Sequence, residues 1–304
     1  MISIIMTYYN TPYDKIKQAI DSVLIQTYKD YQFIIVDDGS ESNKDIDDYV
    51  QSNPQIELIR LDHNIGQAEA QNIALIYARG DYLYFLDADD YIYERTLELL
   101  SKADADICVA KYTRDERVEL GSGDNDIRTL DKYQVLRTLC QYTPTISSVM
   151  FNAIWNKLYH RKVFEGVKFP TGLTHNDTFI THKLLWNADK ITYIPIVTYH
   201  YRIGGSIAGR KLYDNQDMIL AHEARLQFLE NNVHDEGIIL NEKGRLLTTM
   251  VRTFYATKEQ GIIDKMITFI MDNKDLNRWS DYRNARRVIL LERNIDIRTE
   301  SEIH

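Results

Sequence analysis

Cysteine is nearly missing from this chain: Cys108 and Cys140 are the only two in 304 residues. There is no Cys-x-x-Cys pair and no Cys/His cluster, so the common zinc sites are excluded. Both thiols are expected to be buried and reduced. With 5 prolines and 13 glycines, the chain is not of low complexity. Basic residues are outnumbered by acidic ones, 36 to 45, for a formal net charge of -9. That balance argues against a nucleic-acid binder, whose affinity comes from basic surface. No apolar run approaches the roughly 20 residues needed to span a bilayer. The N-terminus enters a strand directly, Ile2-Ser3-Ile4-Ile5-Met6, without the basic start and long apolar stretch of a secretory signal. The expectation is a cytoplasmic protein, with peripheral contact at the inner face of the membrane left open. Apolar residues are plentiful: at 44% hydrophobic against 27% charged, a sizeable core is within reach.

The first hundred residues alternate between two periodicities. Apolar runs at Ile2 to Met6, Phe33 to Val36, Ile56 to Leu61, Tyr82 to Leu86 and Asp106 to Ala110 read as strands. Between them lie helical patterns: Ile16, Ile20, Val23 and Leu24 on one face, then Asp45 to Gln51, Gly66 to Ala78 and Tyr91 to Leu100. Such alternation predicts an α/β fold with a mainly parallel sheet covered on both faces. The middle is less regular. Leu130 to Cys140 and Asn176 to Trp186 read as helices, and Ile191 to Tyr201 as a strand interrupted by Pro195. From about Tyr213 the pattern is wholly helical, with Leu247, Val251 and Phe254 at the spacing of a buried stripe. A boundary is therefore expected near residue 210, with Gly204, Gly205 and Gly209 beside it: 1–210 for the α/β domain, 211–304 for a helical region.

Ligands of such sheets bind beyond the carboxyl ends of the strands. There the fourth strand, Tyr82-Leu83-Tyr84-Phe85-Leu86, runs into Asp87-Ala88-Asp89-Asp90, three carboxylates in four residues. Neighbouring carboxylates repel and lose hydration, so the cluster does not serve stability. A divalent cation would neutralise it, and Mg2+ or Mn2+ favours a few carboxylates together with the oxygens of a bound phosphate. Residues two apart in an extended segment share a face, so Asp87 and Asp89 can converge. A solvated acidic turn before a helix is the plainer alternative.

Several motifs occur in order along the chain. Met6-Thr7-Tyr8-Tyr9-Asn10 follows the first strand and Val36-Asp37-Asp38-Gly39-Ser40 the second. Asn64-Ile65-Gly66 with Gln71-Asn72 comes next, then the acidic cluster, Asn156-Lys157-Leu158-Tyr159, Asn176-Asp177, and Tyr199-His200-Tyr201-Arg202 with Ser206. Together they resemble a family 2 glycosyltransferase over residues 1–207. The resemblance implies the GT-A fold, Rossmann-like, and transfer of a sugar from a UDP-sugar to a hydroxyl with inversion. It gives Asp87 the ribose and a share of the cation, Asp89 the Mn2+ or Mg2+ itself, Asp38 the imide N–H of uracil, and Asp177 the proton of the acceptor hydroxyl. The first two acidic residues form the DxD pattern of that family. Two positions depart from the family pattern: Gln71 stands where arginine is usual, and Asn176 where glutamate is usual.

The residues read on their own chemistry as follows. Tyr9 can stack on a nucleobase or cap the sheet edge, and Thr7 offers a hydroxyl beside it. Asp38 reads equally as part of an Asp-Gly turn. Asn64 and Gly66 precede a helix that can approach a ligand closely, or Asn64 simply caps it. Asp90 either orients its neighbours from behind or caps the next helix. Asp177 lies just before an apolar helix, where capping competes with the role of general base. Arg202 can grip phosphate with its planar fork, and His200 can be a third metal ligand or a packed aromatic. Ser206, after Gly204-Gly205, falls on a loop expected to close over the donor. Trp155 and Asn156 are candidates for the acceptor side.

The expected activity is that of a metal-dependent hexosyl- or N-acetylhexosaminyltransferase. By resemblance its acceptor is a cell-wall or capsular polysaccharide, a teichoic acid polymer, a lipid-linked glycan or a protein. The helical region could bind acceptor, pack, or form a homo-oligomer. One alternative is a nucleotidyltransferase making a nucleotide sugar. Such enzymes hold triphosphate with a glycine-rich basic loop, and Thr7 to Tyr13 contains neither residue type. The other is a non-catalytic nucleotide-sugar-binding protein, against which the intact Asp89 and Asp177 argue.

Overall fold

The computed structural model describes residues 1–41, 44–123, 126–141, 146–202, 215–274, 276 and 280–292. They divide into two compact units, one of residues 1–139 and 149–207, the other of 140–148 and 208–304. The first holds a nine-stranded sheet among the described residues. Its strands are β1 (Ile2–Tyr8), β2 (Tyr31–Asp37), β3 (Ile56–Arg60), β4 (Tyr82–Asp87), β5 (Tyr91–Ile92), β6 (Ile107–Thr113), β7 (Arg128–Leu130), β8 (Lys157–His160) and β9 (Ile191–His200). Helices α1 (Tyr13–Leu24), α2 (Lys44–Gln51), α3 (Gln67–Tyr77), α4 (Thr96–Ser101), α5 (Lys132–Leu139) and α7 (Asn176–Asn187) are interspersed with them, as is α6 (Ile146–Asn152), of which residues 149–152 belong to this unit. The strand order is β3-β2-β1-β4-β8-β6-β9-β5, with β7 paired to β9.

The expected α/β sheet with flanking helices is present. β3, β2, β1 and β4 are all parallel; the apolar runs of β1, β2 and β4 are buried as the continuous patterns require, and β3, at the edge, is buried only at Ile56. On one face, Ile4 and Met6 of β1 share a core with Ile16, Ile20 and Val23 of α1. On the other, the Phe85 ring lies 6.1 Å from that of Tyr159 and 5.7 Å from that of Phe164. Beyond β4 the sheet is mixed, because β8 pairs antiparallel with both β4 and β6.

Three local departures from the sequence pattern have physical causes. Tyr91 and Ile92 read as the start of a helix. They form β5 instead, opposite His200 and Tyr199, and α4 begins only at Thr96. Arg128 to Leu130 is strand β7, and α5 starts after Asp131, whose carboxylate accepts from the backbone N of Gln134 at 2.8 Å. Pro195 does not end its strand. The pairing of β6 with β9 shifts register beside it, so the proline, which has no N–H, sits in an irregularity.

The second unit is helical, as the C-terminal pattern predicts: α8 (Gln216–Asn232), α9 (Glu236–Thr257), α10 (Gln260–Asp272) and α11 (Ser280–Glu292). Asn215 and Asp235 cap α8 and α9 by accepting from the backbone N of Met218 and Ile238, both at 3.0 Å. Leu247, Phe254, Ile263 and Met266 are buried in its own core, with Val251 packed against them. No helix among the described residues is long and apolar enough to cross a membrane.

Candidate active site

The carboxyl ends of β1, β2 and β4 lie side by side. Pairing sets Thr7 opposite Asp87 on one side and Val36 on the other, and Tyr8 opposite Asp37. The loops beyond are tied together: Asn10 donates its backbone N to Ser40 Oγ at 3.0 Å, and its Oδ1 accepts from the backbone N of Glu41 at 3.1 Å. Asn10 takes a left-handed φ of 48°, which asparagine tolerates better than most side chains. Tyr9 is half-buried in this loop, and Thr7 is half-buried at the strand end.

Asp38 is 3% exposed and does more than turn the chain. Its carboxylate accepts from Asn64 Nδ2 at 2.9 Å and from the backbone N of Ile65 and Gly66 at 2.8 and 3.0 Å. Three of a carboxylate's roughly four acceptor positions are thereby taken. Asn64 therefore serves Asp38 and is not the helix cap; Gly66, at φ 93°, stands at that position. Gly39 makes the clasp possible. A Cβ there would lie 2.3 Å from the carbonyl carbon of His63, and φ is 73°. Asp37 is wholly buried and faces inward, accepting from the backbone N of Ser40 and pairing with Arg60 Nε at 3.1 Å.

At the end of β4, one carboxylate oxygen from each of Asp87, Asp89 and Asp90 lies within 4.8 Å of the others. Asp87 and Asp89 are half-buried and Asp90 is fully buried. Burial pushes the Asp87 carboxyl well above the usual range, and the charges of Asp90, Asp89 and Asp177 push it further. Burial and Asp89 raise Asp90 to about 7, against the pull of its hydrogen bonds to Arg202 and Tyr199. Asp89 is raised by burial too, and Lys15 and Arg202 oppose the shift. Three oxygens this close, short of positive charge and free of nitrogen or sulfur, make a donor set that fits Mg2+ or Mn2+.

Asp90 does not cap the following helix. Its Oδ2 accepts from Tyr199 Oη at 2.7 Å and its Oδ1 from the backbone N of Arg202 at 2.8 Å, so it clamps the end of β9 to the acidic turn. Arg202 donates Nη1 to the Asp89 carbonyl at 2.5 Å and Nη2 to Gln18 Oε1, and its guanidinium lies 4.9 Å from the Tyr91 ring centre. His200 is brought near but not into the acidic group. It stacks on Tyr91 at 4.6 Å, 3% exposed, and burial lowers its pKa. Ser206 lies outside the described residues.

Asp177 stands in the first turn of α7, one residue inside its start; His175, at a φ of 61°, occupies the capping position. Its Oδ1 accepts from the backbone N of Thr178 at 2.8 Å. Its charge reaches Asp87, Lys157 and Tyr159, which joins it electrostatically to the acidic turn. The acceptor-side residues are less accessible than the sequence suggests. Asn156 has no exposed surface and donates its amide to the Ala110 carbonyl at 2.5 Å. Trp155 is 7% exposed, stacked 4.7 Å from Tyr199 and 5.2 Å from Tyr201. Gln18, which holds Arg202, carries no sequence signal of that role, and Tyr199, which holds Asp90, stands in a motif that does not assign it one. Gln18 is one polar residue on an amphipathic helix, and Tyr199 is one of 21 tyrosines.

The chain is similar to known proteins in sequence and in fold. The chain is 28% identical to glycosyltransferase GlyA of Streptococcus pneumoniae over 215 residues, covering 66% of this chain and 30% of GlyA. It thus spans less than a third of that relative's length. Residues 1–349 of S. aureus TarS, crystallised with UDP, share the fold with a TM-score of 0.65 at 17% identity, over 97% of this chain and 92% of that one. The mannosyltransferase PcManGT of Pyrobaculum calidifontis, in complex with GDP-Man and Mn2+, shares it at 0.54 and 16% identity, over 99% and 88%. The fold is that of the GT-A glycosyltransferases. The model of glycosyl transferase family 2 matches residues 3–167, more than half of the chain, and the protein belongs to that family.

Proposed function

We propose that this glycosyltransferase moves one monosaccharide from a UDP-sugar to an acceptor hydroxyl with inversion, assisted by Mg2+ or Mn2+. The observation that carries the reading is the convergence of Asp87, Asp89 and Asp90 at the end of β4, with the charge of Asp177 felt at Asp87. A UDP in TarS and a Mn2+ beside GDP-Man in PcManGT support a nucleotide-sugar donor and a cation in this chain as well.

Tyr9 stacks on the uracil, and Thr7 stands beside it. Asp38, already fixing Asn64 and Gly66, meets the uracil imide with its remaining acceptor position. Asp87 holds the ribose, and Asp89 with Asp87 holds the cation. When bound, the cation supplies positive charge against the diphosphate as it leaves. Arg202, braced by Gln18 and the Asp89 carbonyl, offers its other N–H groups to phosphate. Ser206 belongs to the proposed loop over the donor.

Asp177 takes the proton of the acceptor hydroxyl as that oxygen attacks the anomeric carbon from the face opposite UDP. The new C–O bond forms, the bond to UDP breaks with its electron pair going to the diphosphate, and the proton stays on Asp177. A single displacement inverts the centre, as in an inverting glycosidase with an alcohol in place of water. The acceptor class is a glycan, a polymer or a lipid-linked sugar, and the helical region is proposed to serve acceptor binding or self-association.

Calorimetry of UDP with and without Mn2+ tests the reading on wild type and on Asp89→Ala. Manganese should strengthen UDP binding to wild type only. UDP release from UDP-sugars should fall at least about a hundredfold in the variant, since a bound cation contributes several kcal/mol. UDP uptake indifferent to manganese, together with full turnover by the variant, would overturn it.

A further inference from the structure

Lys157 opens β8 and is 1% exposed. A lysine so deeply buried needs acceptors, and this one has them. Its Nζ donates to the backbone carbonyls of Met150 and Ala153, and lies 3.4 Å from that of Trp155 and 3.3 Å from Asn156 Oδ1. Tyr159 is two residues on and so on the same face of the strand. Its hydroxyl donates to the Ile154 carbonyl at 2.9 Å. The carbonyls at and beyond the end of α6, which a helix leaves without intrahelical partners, are thus gathered by two side chains of one strand. Leu158, between them, packs into the main core on the opposite face.

The same helix end reaches the proposed base. Asn152, the last residue of α6, donates Nδ2 to Thr178 Oγ1 at 3.0 Å. Thr178 in turn holds Asp177 Oδ1, by its backbone N at 2.8 Å and with its hydroxyl 3.5 Å away. A continuous path of contacts therefore runs from the buried ammonium through the end of α6 to the Asp177 carboxylate. We propose that Lys157 is a positioning residue for sugar transfer, fixing where the Asp177 carboxylate points through the end of α6 and the Asn152–Thr178 link. The proposal rests on Asp177 being the base.

Charge adds to the geometry. Burial pushes the Lys157 pKa down to about 7, and Asp177 pulls it back up. The four oxygens around Nζ favour the protonated form, which has three donors and no acceptor. Around Asp177, Asp87 from β4 presents a like charge, whereas β8 presents the Lys157 cation and the buried Tyr159 phenol. Lys157 thereby sets a positive charge within electrostatic reach of Asp177.

Lys157→Met keeps the length of the side chain and removes the donors. UDP release from UDP-glucose, UDP-galactose and UDP-N-acetylglucosamine, followed across pH, is the readout, with UDP affinity in Mn2+ measured beside it. The expected result is a fall in kcat of about 10- to 100-fold, the size of effect that misplacing a catalytic group produces. UDP affinity should hold within about twofold, and the acidic limb of kcat should move to higher pH, because Asp177 loses its cation. A purely structural lysine would lower the melting temperature and leave that limb in place. Asn152→Leu spares the lysine and cuts the link; it should lower kcat with the limb unmoved. If Lys157→Met does not fold, Asn152→Leu decides alone, and a wild-type kcat overturns the proposal. Asp177→Asn, run in parallel, separates the failures. Should it keep turnover, the base assignment falls and the Lys157 role with it. Should it be inactive while the Lys157 and Asn152 variants match wild type, only the positioning role falls.

Discussion

Buried carboxylates occur in both units of this chain, and their pKa values move in opposite directions. At the end of β4, Asp87 is pushed up by burial and by the charges of Asp90, Asp89 and Asp177, and Asp90 by burial and Asp89. In the helical unit, Glu242 of α9 is 0% exposed, yet its carboxyl is held below the usual range. Burial alone would raise it; His222, Arg225 and Arg245 outweigh burial. His222 Nδ1 lies 2.6 Å from Glu242 Oε1, and Arg225 Nε is 4.0 Å from the same atom. Glu242 is thus compensated from within the protein, which is what a structural charge requires. The acidic turn is under-compensated and calls for positive charge from outside, the signature of a site that binds something. Burial is common to both, so burial alone does not distinguish them; the sign of the surrounding charge does.

The largest test of this contrast removes the base that completes the acidic site. Asp177→Asn is expected to lower UDP release by about 10²- to 10⁴-fold, the usual contribution of a general base. UDP affinity in Mn2+ should change little, because the substitution is isosteric and leaves β1, β2 and β4 as they are. Near-normal turnover in that variant would detach α7 from the chemistry. It would leave the acidic turn as a binding site alone.

The helical unit should respond in stability instead. Glu242→Gln leaves the Arg225 and Arg245 charges without their buried partner and should cost about 3–5 kcal/mol, read from urea unfolding. The pH dependence follows from the shifts. Glu242 has a lowered folded pKa, so its contribution is present above about pH 4.5 and lost on acidification. His222 is lowered as well, chiefly by burial, so below about pH 6.5 the unfolded chain takes up a proton that the folded one resists. Both effects destabilise the protein as pH falls. The Gln variant should lack the part of the fall that sets in below about pH 4.5, where the unfolded Glu242 takes up its proton. An unchanged slope would mean that other carboxylates set the acid limit.

The sequence made one side of this contrast readable and hid the other. Asp87, Asp89 and Asp90 are neighbours in the chain, so their convergence needed only the strand that precedes them. The parallel strands β1, β2 and β4 were legible for a similar reason, since continuous apolar runs between helical patterns have few other readings. The Glu242 cluster joins residues 20 positions apart on two helices. A glutamate on a helix is ordinarily a solvated one, so nothing local marked it. Asp38 was read as a ligand group, but its hold on Asn64 and Gly66 came only with β3 and the loop after it. Strands β5 and β8 were missed because their partners are far away: Tyr91 pairs with His200, and Lys157 with Val109. The motifs Asn156-Lys157-Leu158-Tyr159 and Tyr199-His200-Tyr201-Arg202 were visible as words. That β8 and β9 carry them, with Tyr199 on Asp90 and Lys157 under α6, depended on tertiary pairing.

The smallest expected effect is also the one that cuts most directly between the two clusters. Asp87→Asn, measured in EDTA so that no cation is bound, removes one of three crowded carboxylates and keeps the shape of the side chain. If the acidic turn is held together against its own repulsion, the change should stabilise the protein, by about 0.5–2 kcal/mol as other relieved active-site charges do. At the size of the sheet unit, each kcal/mol corresponds to roughly 2–4 °C in melting temperature. Manganese should reverse the order, since it stabilises whichever form binds it, and wild type keeps the fuller set of oxygens. The same exchange of carboxylate for amide at Glu242 should destabilise with or without the metal. One chemical change would then have opposite signs in two places of one chain. A loss of stability for Asp87→Asn in EDTA would instead place that carboxylate among the structural ones.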